Sequence, residues 1–239
     1  MNNDNKTYYC DWRLKSVCAY CGGYADTEDH VPSRCFLDAP LPDEPPVVPC
    51  CEDCNKAFSL DEEYVSCVID CMKEGTTDVL SIKRLKTRKT LNHSIALAEE
   101  IKSQCRDFGG VQLWDYDKDR FLRVIRKLAF GHLAYYNETL AFDSDFNIAM
   151  KVLGQMNDSE RMAFEQPYLN DLLPEVGSRA LQSPSFLVLE DGVNKCMKYP
   201  SHWEIVQEGR YRYCTSNEGN KVKFVIAEFL SVEVELANY

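Results

Sequence analysis

Two pairs of cysteines stand near the start of the chain at the spacing that turns two sulfurs toward one metal: Cys18-Ala19-Tyr20-Cys21 and Cys51-Glu52-Asp53-Cys54. Each knuckle can present two thiolates to one side of a tetrahedral Zn²⁺, so the two together make a complete structural zinc site. Cys50 could replace Cys51 in register, and Cys35 is a fifth candidate. The later Cys67, Cys71, Cys105, Cys196 and Cys214 read as small buried hydrophobes, because no His or further Cys beside them completes a site. Inside the frame of the knuckles lie Asp29-His30-Val31-Pro32 and then Phe36-Leu37, and Asn55 follows the last cysteine directly. A lone His is usually structural or exposed, an Asp commonly bonds backbone, and an Asn commonly caps a helix. The Asp-His-Val-Pro context between two knuckles raises His30 above that ordinary role.

The elements that must hold these residues can be read from composition and periodicity. Residues 1–54 are rich in Pro, Asp and Cys, with LDAPLPDEPPVVP at 37–49, and leave little room for long regular elements. A zinc would have to organise this part. From Asn55 onward Phe58, Tyr64, Val65, Val68, Ile69 and Met72 recur at helical spacing, predicting a helix that runs to about Lys73 and stops at Gly75. One or two amphipathic helices are expected over 79–104, with Gly109-Gly110 breaking the pattern. Residues 118–137 predict a helix that packs Phe121, Leu122, Ile125, Leu128 and Leu133 and turns its Arg and Lys side chains away, and a further helix is expected over 145–156. The stretches WEIVQ, GRYRYCT and KVKFVIAEF predict strands, with Asn217-Glu218-Gly219-Asn220 as a hairpin turn.

The run CAYC, TEDHVPSRCFL, VPCCEDCNKAFSLDEEY resembles the HNH nuclease motif over residues 18–64. In that family a knuckle precedes an acidic residue, a His and Val/Ile-Pro on a strand, and a second knuckle leads into the helix carrying the last metal-binding Asn or His. The resemblance implies a zinc-stabilised ββα-metal module over 1–75; with the periodicity of the rest, an α+β fold is expected, residues 76–239 forming a helical region (about 79–156) and then a small antiparallel β region (about 184–236). The resemblance also implies a metal-dependent endonuclease that hydrolyses phosphodiester bonds in DNA. His30 is implied as the general base that activates water, and Asp29 and Asn55 as ligands of one Mg²⁺ or Mn²⁺, hard ions suited by oxygen donors. Cys18, Cys21, Cys51 and Cys54 are implied as ligands of the structural zinc. The family usually has a second Asn before the second knuckle that helps orient the His. That place here falls in Pro45-Pro46-Val47, where a backbone carbonyl can serve instead. Bacterial proteins with this motif often act in phage defence or mobile elements.

Charge sharpens the expected partners. The 239 residues, 45% hydrophobic and 27% charged, describe a folded globular chain of one large domain or a module with a body. Its net charge of -11 argues against a nucleic-acid partner held by overall attraction. The acidity is uneven, however: residues 1–80 carry 6 basic and 16 acidic side chains, 81–130 carry 12 and 6, and 131–239 carry 9 and 16. The basic island contains Lys83, Arg84, Lys86, Arg88 and Lys89, then Arg120, Arg123, Arg126 and Lys127, and is the expected phosphate-contacting surface. One HNH centre cuts one strand, so a double-strand break calls for a homodimer, a partner subunit or two events. No export signal or spanning segment is read, so a cytoplasmic location, reduced thiols and no membrane partner are expected. A non-catalytic zinc module binding protein or nucleic acid is the alternative, favoured by the missing Asn and the acidic total. A DNA-mimicking acidic protein fits the charge alone and leaves the knuckles unexplained.

Overall fold

The computed structural model describes residues 14–43, 45–137, 140, 144–171, 188–189, 197–216 and 218–237. In chain order the elements are β1 (Thr27–His30), β2 (Val47–Cys50), α1 (Glu52–Glu74), α2 (Leu85–His93), α3 (Ile95–Ser103), β3 (Cys105–Phe108), β4 (Val111–Trp114) and α4 (Lys118–Asn137). They continue as β5 (Phe146–Val152), α5 (Asp158–Glu165), β6 (Leu169–Asp171), β7 (Val188–Leu189), β8 (Met197–Pro200), β9 (Glu204–Gln207), β10 (Tyr211–Thr215), β11 (Lys221–Ile226) and β12 (Leu230–Leu236). The fold is thus mixed α and β with antiparallel sheets. Its contacts form two units, Met1–Asn55 with Arg126–Tyr239, and Lys56–Ile125. The boundary expected at residue 75 falls at the end of α1, whereas this grouping divides the chain at 55/56 and 125/126.

In the first unit β1 and β2 pair antiparallel, with Thr27 opposite Cys50 and His30 opposite Val47. Strands β5, β12, β11, β10 and β9 form, in that order, a five-stranded antiparallel sheet. One face of it carries Tyr211, Tyr213 and Phe224, against which His132 of α4 stacks. The opposite face turns Val225 toward Leu153, Phe164, Met156 and Trp203. This alternation along the strands covers both faces and buries the unit's core. Helix α4 approaches the first strand pair closely at Gly131: a Cβ there would lie 3.0 Å from Val31 Cγ2 and 3.3 Å from Tyr20 Oη, a tight fit.

In the second unit Tyr64 donates to Gln104 (2.7 Å), accepts from the Asp117 backbone (2.8 Å), and lies under the Arg120 guanidinium at 3.8 Å. Arg120 also meets Asp61 (2.7 Å) and Glu100 (2.8 Å). Helix α1 ends as expected, because Gly75 adopts φ 64 and the Thr76 N–H bonds back to the Cys71 carbonyl.

Several expectations are corrected. The helix expected over 145–156 is β5 followed by a short 3-10 turn at Leu153–Gln155. Phe146, Ile148, Met150 and Val152 alternate, and the whole strand pairs with β12 from Leu230↔Val152 to Leu236↔Phe146, so cross-strand hydrogen bonds override a short helical propensity. Gly109-Gly110 does more than break a helix: both residues have positive φ and close the β3–β4 hairpin. Helix α5 was not expected, although Asn157 and Glu160 form a reciprocal capping box at its start. Leu122, expected to pack, is 40% exposed, and Lys127, expected to face outward, is buried. Of the five later cysteines, Cys67, Cys71 and Cys214 are buried, Cys105 is half-buried, and Cys196 lies outside the described residues. Asn217 of the expected hairpin turn also lies outside them, between the described β10 and β11. Among the described residues no helix is long and apolar enough to cross a membrane.

Candidate functional site

The four knuckle cysteines converge. The sulfurs of Cys18, Cys21, Cys51 and Cys54 all lie within 4.8 Å of one another, and Cys21 Sγ is 3.8 Å from Cys51 Sγ. A tetrahedron with Zn–S bonds of about 2.3 Å has edges of about 3.8 Å. The donor set therefore fits zinc in chemistry and in size. Burial pushes the Cys18 thiol up, but backbone N–H groups of Cys51, Tyr20 and Cys21 outweigh it and bring its pKa to about 7. Burial and the neighbouring sulfurs push the Cys54 thiol up. A bound metal would override that preference by holding the thiolate form. Cys50 stays out of the cluster, buried with its thiol donating to the Cys51 carbonyl, and Cys35 is half-buried outside it.

The cluster ties the first knuckle to the chain just after β2, where α1 begins. Asn55 lies in the first turns of α1, and its amide donates to the Glu28 carbonyl at 3.4 Å. Asn55 is thus joined to β1 two residues before His30. The successive side chains of β1 point to opposite faces. Asp29 is buried, whereas Glu28 and His30 are half-buried. The Pro46 carbonyl, at the place of the missing Asn, accepts the Val31 backbone N–H at 2.9 Å.

His30 and Asp29 have different surroundings. Arg34 brings Nε and Nη2 to 3.1 and 2.8 Å from His30 Nε2. A guanidinium can only donate, so Nε2 is the lone-pair nitrogen in this arrangement and the ring proton sits on Nδ1. Asp29 accepts through Oδ1 from the His30 backbone N–H (2.9 Å) and through Oδ2 from Tyr20 Oη (2.7 Å). Oδ2 also meets the ammonium of Lys127, which donates in addition to Ser33 Oγ. Three of the roughly four acceptor positions of the carboxylate are filled, one of them by a full positive charge. About one acceptor position of Asp29 is left for any further cation, and that cation would stand beside the Lys127 ammonium.

Several residues of the basic island are paired with carboxylates. Arg84, its guanidinium buried, pairs with Asp70 (3.0 Å) and Ser66 (2.9 Å). Arg120 and Arg123 both grip Asp61, Lys83 meets Glu74 at 3.0 Å, and Lys127 is committed to Asp29. Lys86, Arg88 and Lys89 lie on α2, with Lys86 and Lys89 exposed and Arg88 half-buried. An open groove of ≈ 540 Å³ runs beside β1 and β2, with Lys15, Asp26, Glu28 and Pro49 in its wall; His30 is not one of its lining residues.

Tyr20, Ser33 and Arg34 were missed by sequence reasoning, and Lys127, expected on the phosphate-contacting surface, pairs with Asp29 instead. Arg34 follows His30 by four residues, a local signal that could have been used. Lys127 has none, because its partner stands far away along the chain. No family model, curated protein or solved structure matches this chain.

Proposed function

We propose that the protein is a nuclease of the HNH type that hydrolyses phosphodiester bonds in DNA, with His30 as the general base. The observation that carries the reading is the strand–strand–helix order of β1, β2 and α1 behind the cysteine cluster, with His30 on β1 and Asn55 on α1 bonded to the same strand. Zinc held by Cys18, Cys21, Cys51 and Cys54 would tie the first knuckle to the start of α1 beside the strand pair.

In this reading His30 Nε2 takes a proton from water as the water oxygen bonds to phosphorus and the bond to the 3′ oxygen breaks, the departing 3′ oxyanion taking a proton from solvent to become the 3′-hydroxyl. Arg34, within hydrogen-bond distance of the same nitrogen, can turn its fork to a non-bridging phosphate oxygen and leave Nε2 facing the water. The family resemblance assigns a Mg²⁺ or Mn²⁺ to Asp29 and Asn55, to stabilise charge on the phosphate. No step is derived through Asp29, given its pairing with Lys127. The contacts to DNA are local and salt-sensitive, carried by Lys86, Arg88 and Lys89 rather than by the whole island, and a homodimer or partner subunit would supply the second cut. A role in phage defence or a mobile element belongs to the same reading.

A labelled duplex oligonucleotide incubated with Mg²⁺ or Mn²⁺ tests the chemistry. Products ending in 5′-phosphate and 3′-hydroxyl support it. The alternative, a non-catalytic zinc module, is favoured by the committed state of Asp29; it predicts an intact duplex, retarded in a gel or not, at every metal concentration.

A further inference from the structure

We infer that Asp29 and Lys127 form an anchor that aims His30, so that Asp29 is a positioning residue and not a ligand of a divalent cation. The inference rests on the nuclease reading for what His30 does, but its geometry stands on its own. The Lys127 side chain is only 2% exposed and that of Asp29 11%. Their pairing is completed by the Tyr20 hydroxyl on Asp29 and by Ser33 Oγ on the ammonium. The Lys127 Nζ also stands 5.5 Å from the centre of the Tyr20 ring.

This arrangement brackets the catalytic segment. Asp29 and Ser33 flank His30-Val31-Pro32 on either side, and one ammonium holds both ends. Helix α4 delivers that ammonium on the face that carries Gly131 one turn later, where the absence of a side chain lets the helix approach Val31 and Tyr20. A buried ion pair is costly to desolvate and is often no more stabilising than an apolar pair of similar volume. Its value here lies in direction: it fixes both ends of the turn that presents the imidazole. It also fills the cation position beside Asp29, so that a Mg²⁺ or Mn²⁺ arriving there would meet a buried positive charge that bulk solvent screens weakly.

Full-length, zinc-loaded Asp29→Asn, Lys127→Met and the double variant test the anchor. Each is measured for zinc content, thermal midpoint, Mn²⁺ binding by water-proton relaxation without substrate, and duplex cleavage across Mn²⁺ concentration. The anchor predicts that each single variant lowers kcat at least tenfold with KM and half-saturating Mn²⁺ unchanged, and that the double variant is no worse than the poorer single. A tenfold rise in half-saturating Mn²⁺ for Asp29→Asn with activity restored at high Mn²⁺, together with tighter Mn²⁺ binding by Lys127→Met, overturns it and makes Asp29 a metal ligand. If Lys127→Met does not fold, Ser33→Ala removes one of the two named acceptors alone. It should lower kcat while the zinc stays bound, and an unchanged kcat overturns the anchor. If wild-type protein cuts nothing, the nuclease reading fails by itself. The substrate-free Mn²⁺ binding and the non-additivity of the two thermal shifts then still decide between anchor and ligand.

Discussion

Replacing His132 with phenylalanine should flatten the acid limb of the protein's stability curve. His132 is fully buried, stacked on Tyr213 with ring centres 4.0 Å apart, and its Nε2 lies 2.8 Å from the Tyr211 hydroxyl. Its Nδ1 has no hydrogen-bond partner among the described residues. Burial, helped by the Lys127 charge, pushes its pKa down to about 3. The unfolded chain binds this proton near pH 6.5 and the folded chain does not until about 3, so stability falls as pH drops through that window. At about 1.36 kcal/mol per unit, the loss from His132 is about 2 kcal/mol between pH 7 and pH 5. Urea denaturation of wild type and His132→Phe at pH 7, 6 and 5, with zinc content checked at each, isolates this effect because the carboxylates titrate alike in both. Phenylalanine strands the Tyr211 hydroxyl and should cost about 1–3 kcal/mol at pH 7, so slopes are compared rather than absolute values. Equal slopes for the two proteins would refute the reasoning.

Three further outcomes follow from particular contacts. Removing one thiolate by Cys51→Ser should abolish stoichiometric zinc and melt the first unit's strand pair, and Co²⁺ in the wild type should give the intense visible absorption of a tetrahedral thiolate site; a zinc-free protein with an unchanged melting curve would contradict this. Asp61 is pushed up by burial but held below the usual carboxylate range by hydrogen bonds from Arg123 and Arg120, which outweigh it. The stability it adds is therefore present at neutral pH and is lost as pH falls through the carboxylate range. Asp61→Asn should cost about 1–3 kcal/mol at pH 7 and much less at pH 3, measured by denaturant titration. Gly131→Val should cost about 1–3 kcal/mol by crowding Val31 and Tyr20. Gly131→Ala should sit near neutral, since about 1 kcal/mol of helix propensity opposes a smaller overlap.

Local patterns were legible in the sequence. The knuckles define a metal site by spacing alone, and α4 spans the 118–137 that its apolar periodicity predicts. The start of α1 was visible because the second knuckle runs straight into an apolar stripe. What escaped depends on distant partners. Phe146–Val152 becomes a strand only because β12 offers seven paired residues, and an apolar run that short satisfies either period. Arg84, Arg120 and Lys127 look like surface cations until Asp70, Asp61 and Asp29 are brought to them, and then they become internal counter-ions. The same folding that gathers Cys18, Cys21, Cys51 and Cys54 also turns Asp29 to the buried face of β1. The cysteine cluster could thus be anticipated, whereas the role of its acidic neighbour could not.

The proposed action of His30 as a base on a phosphodiester, within a zinc-held frame, is open to a direct test. Purified protein with one zinc per chain, incubated with supercoiled plasmid and Mg²⁺ or Mn²⁺, should convert it to the nicked form. His30→Ala should keep the zinc and the melting temperature and lose the nicking by at least a hundredfold, in the range of a lost general base. Nicking that survives in His30→Ala, or its absence from the zinc-loaded wild type, would contradict the account.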